Sequence, residues 1–120
     1  MTATAVLLGF DAHPAALADL DRLPPAVQES AVTHLRTLVR AEQRGTALDR
    51  RGPWDLTGCR KLCLDDDKRW RLVYQERPAR PLSPHPSEIY LLAAGARSGH
   101  EVYNTAARRL QLLTAGRFSA

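Results

Sequence analysis

Four side chains in the second half of the chain have the types and spacing to act on a phosphodiester: Lys61, Arg71, Arg97 and Tyr103. Two of them sit in strand-like alternation. In Cys59–Leu64, residues Arg60, Leu62 and Leu64 face one way, and Cys59, Lys61 and Cys63 the other. In Arg69–Glu76, residues Trp70, Leu72 and Tyr74 share one face, and Arg69, Arg71, Val73 and Gln75 the opposite one. On neighbouring antiparallel strands, Lys61 and Arg71 then share a sheet face. The turn after the third strand delivers Arg97 to its end, and Tyr103 projects from the helix that follows. Three cations and a phenol without a carboxylate suit acid–base work on sugars or peptides poorly, because that work favours carboxylates or histidine. They suit in-line attack at phosphorus, where fixed cations hold the extra negative charge and an aromatic ring stacks on a base. The same pattern also describes a solvated sheet face with a helix tyrosine packed at its rim.

The elements that must position these groups are legible in outline. Ala3–Gly9 is an apolar run that reads as an opening strand or a first helical turn. Asp11 and His13-Pro14 look like a cap and first turn, and Ala16, Leu17, Leu20 and Leu23 predict a short helix over 14–22. Pro24-Pro25 ends it and can start another. Val27, Ala31, Leu35, Leu38 and Val39 form an apolar stripe against Glu29, Arg36, Arg40 and Arg44, giving an amphipathic helix closed by Gly45. Residues 46–58, with Gly52, Pro53 and Gly58, read as a loop. Asp65-Asp66-Asp67 is a turn whose charges discourage edge pairing. Pro78, Pro81, Pro84 and Pro86 make an extended connection. Ser87–Ala94 holds an apolar strand from Ile89, and Gly95–Gly99 turns the chain. Val102, Ala106, Leu110 and Leu113 line a last helix ending near Gly116. The order predicts one α+β domain over residues 1–120, with a small antiparallel-rich sheet, an N-terminal helical hairpin and a C-terminal helix.

Composition narrows the class. At 120 residues the chain is long enough for one core without disulfide or metal staples. With 44% hydrophobic and 25% charged residues it resembles globular rather than disordered proteins. No apolar run approaches the ~20 residues of a bilayer span, and no Lys or Arg precedes the N-terminal apolar run as a secretory signal requires. A cytoplasmic protein without a membrane partner is expected. Fifteen arginines and two lysines face thirteen acids, and the excess is local. Residues 1–59 hold six cations against seven anions; residues 60–120 hold eleven against six. A polyanion is a natural partner for the second half, although arginine replacing lysine in a GC-rich genome gives the same excess.

Cys59 and Cys63, four residues apart on one strand, are roughly 13 Å from each other, beyond disulfide reach. With no second pair of ligands they build no tetrahedral metal site and read as structural thiols. His13, His34, His85 and His100 lack metal-ligand spacing. His100 alone lies near the cationic group in sequence, three residues from both Arg97 and Tyr103, where it reads as a surface group at a helix start.

Three blocks in order, Gly58-Cys59-Arg60-Lys61-Leu62, Arg69-Trp70-Arg71-Leu72-Val73-Tyr74-Gln75, and Gly95-Ala96-Arg97 with Glu101-Val102-Tyr103, resemble the RelE/ParE toxin superfamily. The RelE branch, ribosome-dependent messenger-RNA endonucleases, is the most similar. The resemblance covers about Leu56 to Leu110, and the N-terminal strand and hairpin agree in order and length. It implies a RelE-like β-α-α-β-β-β-α fold and the toxin of a type II toxin–antitoxin system. The activity implied is a metal-independent endoribonuclease with no cofactor, partnered by the ribosome, messenger RNA and a cognate antitoxin. Residue by residue, Lys61 matches the lysine of the first strand after the hairpin, placed to draw off the 2′-hydroxyl proton. Arg71 matches the arginine of the Tyr-Arg-Leu-Val-Tyr strand, which holds the phosphorane charge, with Trp70 where the first tyrosine stands. Arg97 matches the Gly-x-Arg arginine that steadies the phosphate or leaving oxygen. Tyr103 matches the tyrosine that opens the last helix and stacks on a base. Cys63 departs from the pattern, standing where RelE-type toxins often carry a second lysine. Arg60, Lys68 and Arg69 are the cations available to compensate and to bind RNA. The connection over 77–87 is also longer than the family's. A ParE-like toxin that poisons gyrase by contact shares this fold without needing the cations, and a degenerate member would only bind an antitoxin.

Overall fold

Proline and histidine placement organises the first half of the chain. The computed structural model describes residues 7–51 and 54–118. A short strand, β1 (Gly9–Ala12), leads into helix α1 (Pro14–Arg22). His13 caps that helix. Its Nδ1 accepts a hydrogen bond from the Ala15 amide at 3.1 Å, while Pro14 takes a first-turn position where the missing N–H is no loss. Helix α2 (Pro25–Val39) starts behind an extended Pro24, with Pro25 in its first turn but no side-chain cap. It ends earlier than the expected stop at Gly45. Ala41 adopts φ 57°, and the amides of Ala41 and Glu42 return to the carbonyls of Leu38 and Thr37. This is a Schellman closure built on alanine, where glycine is usual.

Gly45 has a different duty. A Cβ at this position would strike the Lys61 carbonyl oxygen and crowd the Tyr74 hydroxyl at 3.0 Å. The Gly45 amide instead donates to that hydroxyl at 2.7 Å, and its carbonyl accepts from Arg60 Nη1 at 2.7 Å. Glycine is required here because the loop passes hard against the sheet. Glu76 completes the attachment. Arg44 holds it through two hydrogen bonds of 2.8 and 3.0 Å, and Arg60 Nε lies 3.5 Å away.

The expected loop over 46–58 contains three two-residue strands, β2 (Thr46–Ala47), β3 (Arg50–Arg51) and β4 (Trp54–Asp55). The long strands are β5 (Cys59–Cys63), β6 (Trp70–Pro78) and β7 (Ser87–Ala96). A single 3₁₀ turn at Ser98–His100 precedes helix α3 (Glu101–Phe118). β3 and β4 form their own hairpin; the main sheet runs β1-β7-β6-β5-β2. All its pairings are antiparallel except β1 with β7. The opening strand therefore lies at Gly9–Ala12, later than the expected Ala3–Gly9, whose first four residues fall outside the described part.

Helices cover both faces of the sheet. On one, Ala16, Ala31 and Leu38 of α1 and α2 pack with Leu62, Leu72, Tyr74 and Leu91; on the other, Val102, Tyr103 and Ala106 of α3 pack with Cys59, Val73 and Leu92. The period-two pattern breaks once. Val73 pairs with Ala93 and Tyr74 with Leu91, so Leu92 is an extra residue, and Leu92 and Ala93 both turn towards α3.

β1 accompanies β7 only as far as Leu91. Beyond that point side chains serve the strand's open edge. Asp19 Oδ2 accepts from the Ala94 amide at 3.2 Å, and Arg109 Nη1 donates to the Leu92 carbonyl at 2.8 Å. Arg109 also grips both Asp19 oxygens, at 2.6 and 3.1 Å. One ion pair thus joins α1, β7 and α3 around the end of the sheet.

Two outcomes are expected. Asp19→Asn strands the Arg109 charge, whose side chain is only 14% exposed, and should lower unfolding free energy by about 3–5 kcal/mol in urea titration. Arg109→Met should cost a comparable amount, and the double variant less than the sum; strictly additive losses would show that the two do not act as a pair. The second outcome concerns acid. Hydrogen bonding to Arg44 holds the Glu76 carboxyl below its ordinary range. Its contribution to stability is therefore complete above about pH 5 and fades as pH falls through the depressed value. Glu76→Gln should lower Tm at pH 7, and the gap to the parent should close as the medium is acidified.

Candidate functional site

Alternation along β6 carries Arg71 into the layer between the sheet and α3, opposite Cys63 on β5 and Gly95 on β7. The residue is 5% exposed. Its Nη1 donates to the Tyr103 hydroxyl at 2.8 Å, while Nε is buried with no hydrogen-bond partner. None of the salt bridges among the described residues involves Arg71. A buried guanidinium with a neutral partner and an orphaned donor is costly, and its chemistry calls for an anion.

Tyr103 is 3% exposed. The expectation that its ring stands open to stack on a base is corrected here. Tyr103 belongs to the buried stripe of α3 with Val102, Ala106 and Ala107, so helical periodicity turns the ring inward. Its hydroxyl is what reaches the site.

Lys61 lies on β5 opposite Val73, on the same sheet face as Arg71 and one diagonal step from it. Such diagonal neighbours are typically about 7–8 Å apart. Cys63, half-buried, is the direct cross-strand partner of Arg71. Cys59 is sealed under α3, where burial pushes its thiol up to about 11 and leaves it unreactive at neutral pH. Arg60 departs from the expected RNA-binding set. It occupies the opposite face from Lys61, with its guanidinium engaged by Gly45 and Glu76. Arg60 therefore lies across the sheet from Lys61 and Arg71.

The remaining expected cations gather elsewhere, at the end of the sheet. Asp65 Oδ1 accepts from the amides of Arg69 and Trp70 at 2.9 and 3.0 Å, and Lys68 takes φ 59° to close this turn. The Arg97 amide donates to the Arg69 carbonyl at 2.8 Å, which makes the two arginines cross-strand neighbours. Gly99 and His100, at φ 61° and 57°, fold the facing turn. Between the turns lies an open pocket of about 570 Å³ lined by Lys68, Arg69, Trp70, Arg97 and His100, with Asp67 as the acid. The His100 ring centroid lies 6.3 Å from that of Tyr103, so the pocket and the Arg71 site adjoin. The four-residue cluster expected from sequence is thus two neighbouring groups: Arg71 with Tyr103 beneath α3, beside Lys61, and Arg97 in the open pocket. Trp70 and His100 are the pocket residues that sequence reasoning left outside the site; an aromatic opening a strand directly after Lys68 and Arg69 was the available signal.

No model of a known protein family matches the sequence, and no curated protein matches it. Solved structures do match its fold. A free-state arginine double mutant of the Escherichia coli toxin RelE superposes with a TM-score of 0.61 at 23% identity, covering 87% of this chain and 98% of that one. The Mycobacterium tuberculosis toxin–antitoxin complex RelBE2 contains a chain matching with a TM-score of 0.55 at 22% identity, over 77% of this chain and all of that one. The fold is therefore RelE-like α+β, with the short β2 and the β3–β4 hairpin added to the expected order.

The buried Arg71–Tyr103 contact makes a thermodynamic prediction. Arg71→Met fills similar space without a desolvated charge and should leave Tm unchanged or raise it. Tyr103→Phe should cost about 1–3 kcal/mol in the parent, where it strips Arg71 of its partner, and less in the Arg71→Met background. Equal costs in both backgrounds would show that the two side chains are not coupled.

Proposed function

We propose that this chain is the toxin of a type II toxin–antitoxin pair and that it cleaves messenger RNA held in the ribosome. The RelE-like fold supports the general reading. The observation that carries the chemical one is Arg71, a buried guanidinium with an unpartnered Nε and a phenol for company. Stability alone does not favour such a group, whereas a phosphate oxygen would satisfy it.

In this reading the ribose 2′-oxygen forms a bond to the adjacent phosphorus, and the bond to the 5′-oxygen breaks. The products are a cyclic 2′,3′-phosphate and a 5′-hydroxyl, the departing 5′-oxygen taking its proton from water. Lys61 takes the 2′-hydroxyl proton. Arg71 holds the charge that grows on the phosphorane oxygens, and Arg97, Lys68 and Arg69 bind the RNA strand beside it. Because Arg71 is covered, the phosphate must displace the Tyr103 hydroxyl from it. The ribosome supplies the strand already bent and positioned, which replaces the binding surface so small a domain lacks. No step needs a metal ion. The partners are then the ribosome, its messenger and an antitoxin, and the site of action is the cytoplasm.

The test is primer extension on a defined messenger with purified ribosomes. New 5′ ends should arise inside the coding region only when ribosomes are present. Arg71→Met should reduce the single-turnover rate about 10²- to 10³-fold, the loss typical of one oxyanion donor, while the variant remains folded. Growth arrest with intact messenger and blocked replication would replace this reading with gyrase poisoning.

A further inference from the structure

We infer that the open pocket at the end of β6 and β7 is a nucleobase subsite, with Trp70 as its stacking wall and Lys68, Arg69 and Arg97 on the flanking phosphates. The inference rests on the RNA reading above and assigns the position of one base within it. Three observations lead to it. Arg69 and Arg97 are cross-strand neighbours joined by the Arg97 amide, and like charges so placed repel unless an anion lies between them. The pocket adds Lys68 and His100, while its acid, Asp67, stands 4.0 Å from Arg69 Nε with both side chains exposed. Such a weak surface pair leaves the cluster net positive and yields readily to a phosphate.

The second observation is the fate of the aromatics. Tyr103 and Tyr74 are buried, and Tyr90 is 6% exposed with the Arg77 guanidinium 3.6 Å from its ring centroid. Phe10 is exposed but belongs to β1, which pairs with the first part of β7 and not with its far end. Trp70 is half-buried and lines the cationic pocket. Indole beside guanidinium and ammonium groups is the combination with which proteins hold single-stranded nucleic acid, stacking a base while tracking its backbone. The third observation is volume: about 570 Å³ is room for a base with its sugar. Stacking tolerates any base, so this subsite fixes where the strand lies rather than which sequence is cut.

The test measures binding without cleavage and without ribosomes. In a Trp54→Phe protein, Trp70 is the sole tryptophan and its fluorescence reports the pocket directly. Titration with 2′-O-methyl tetra-adenylate, which has no attacking hydroxyl, should quench it. An abasic tetranucleotide of the same charge should quench far less. Read by the anisotropy of a dye-labelled strand, Trp70→Leu should weaken binding about 5- to 150-fold, the range for one stacked base, and Trp70→Phe should restore most of it; circular dichroism of each variant checks folding. Arg97→Gln should flatten the salt dependence of binding. Equal binding of the abasic strand, absence of quenching, or quenching by an acidic peptide but not by RNA would each overturn the inference. If ribosome-dependent cleavage proceeds normally in Trp70→Leu, the base subsite fails while the endonuclease reading stands. If the parent cleaves nothing yet Trp70 is quenched by the adenylate alone, the subsite stands and the catalytic reading fails.

Discussion

The arrangement of this fold depends on how β7 manages the edge that β1 leaves uncovered. A strand edge inside a small α+β domain presents amides and carbonyls that must be satisfied. Here β1 stops at the level of Leu91 and the chain leaves for α1. Asp19 and Arg109, rather than a strand, take over the next backbone groups. Since Asp19 lies on α1 and Arg109 on α3, satisfying the edge also fixes the two helix layers relative to each other. The bulge at Leu92 belongs to the same solution: it turns Leu92 and Ala93 together towards α3, where the Leu92 carbonyl meets Arg109.

The opposite treatment of Arg71 is informative by contrast. Arg109 is a largely covered, half-buried cation given a bidentate carboxylate and a carbonyl. Arg71 is more buried, yet it is given one phenolic oxygen and an unfilled Nε. The chain thus pairs a half-buried arginine fully, and leaves the more deeply buried Arg71 without a carboxylate. Stability sacrificed at one cation while another is fully paired is what the proposed anion-binding role of Arg71 would require.

Much of this was readable in the residues. The helices over 14–22 and from Pro25, the inward and outward faces of β5 and β6, and the shared face of Lys61 and Arg71 follow from period-two and helical spacing. The end of α2 was not, because its left-handed closing residue is Ala41 and sequence reasoning looks for glycine. Gly45 misled for the same reason: its lack of a side chain serves a tertiary approach to Lys61 and Tyr74, which no local pattern encodes. The two-residue strands over 46–55 carry too few residues to show alternation. Within the site, face membership was legible but depth was not. Spacing alone could not show that Tyr103 is sealed and Trp70 half-open, since both depend on where α3 rests on the sheet.

The position of α3 links these findings. Its first turns are fixed to the sheet by Tyr103 on Arg71, and its middle by Arg109 on Asp19 and Leu92. The two attachments differ in kind. The first is a hydrogen bond to a phenolic oxygen, worth about 1.5–3 kcal/mol to a charged donor, and it is the one a phosphate would compete with under the proposed function. The second is a buried, doubly hydrogen-bonded ion pair whose breaking costs more. A phosphate that replaces the Tyr103 hydroxyl offers Arg71 a charged acceptor in place of a neutral one. Such an exchange would loosen the start of the helix and leave the Arg109 anchor in place. The short 3₁₀ turn at Ser98–His100, with Gly99 and His100 already at positive φ, is the segment such a shift would have to flex. That turn also forms a wall of the cationic pocket. If the proposed RNA cleavage holds, occupation of the pocket and opening of Arg71 would act on the same few residues, and a strand bound in one would be placed to enter the other.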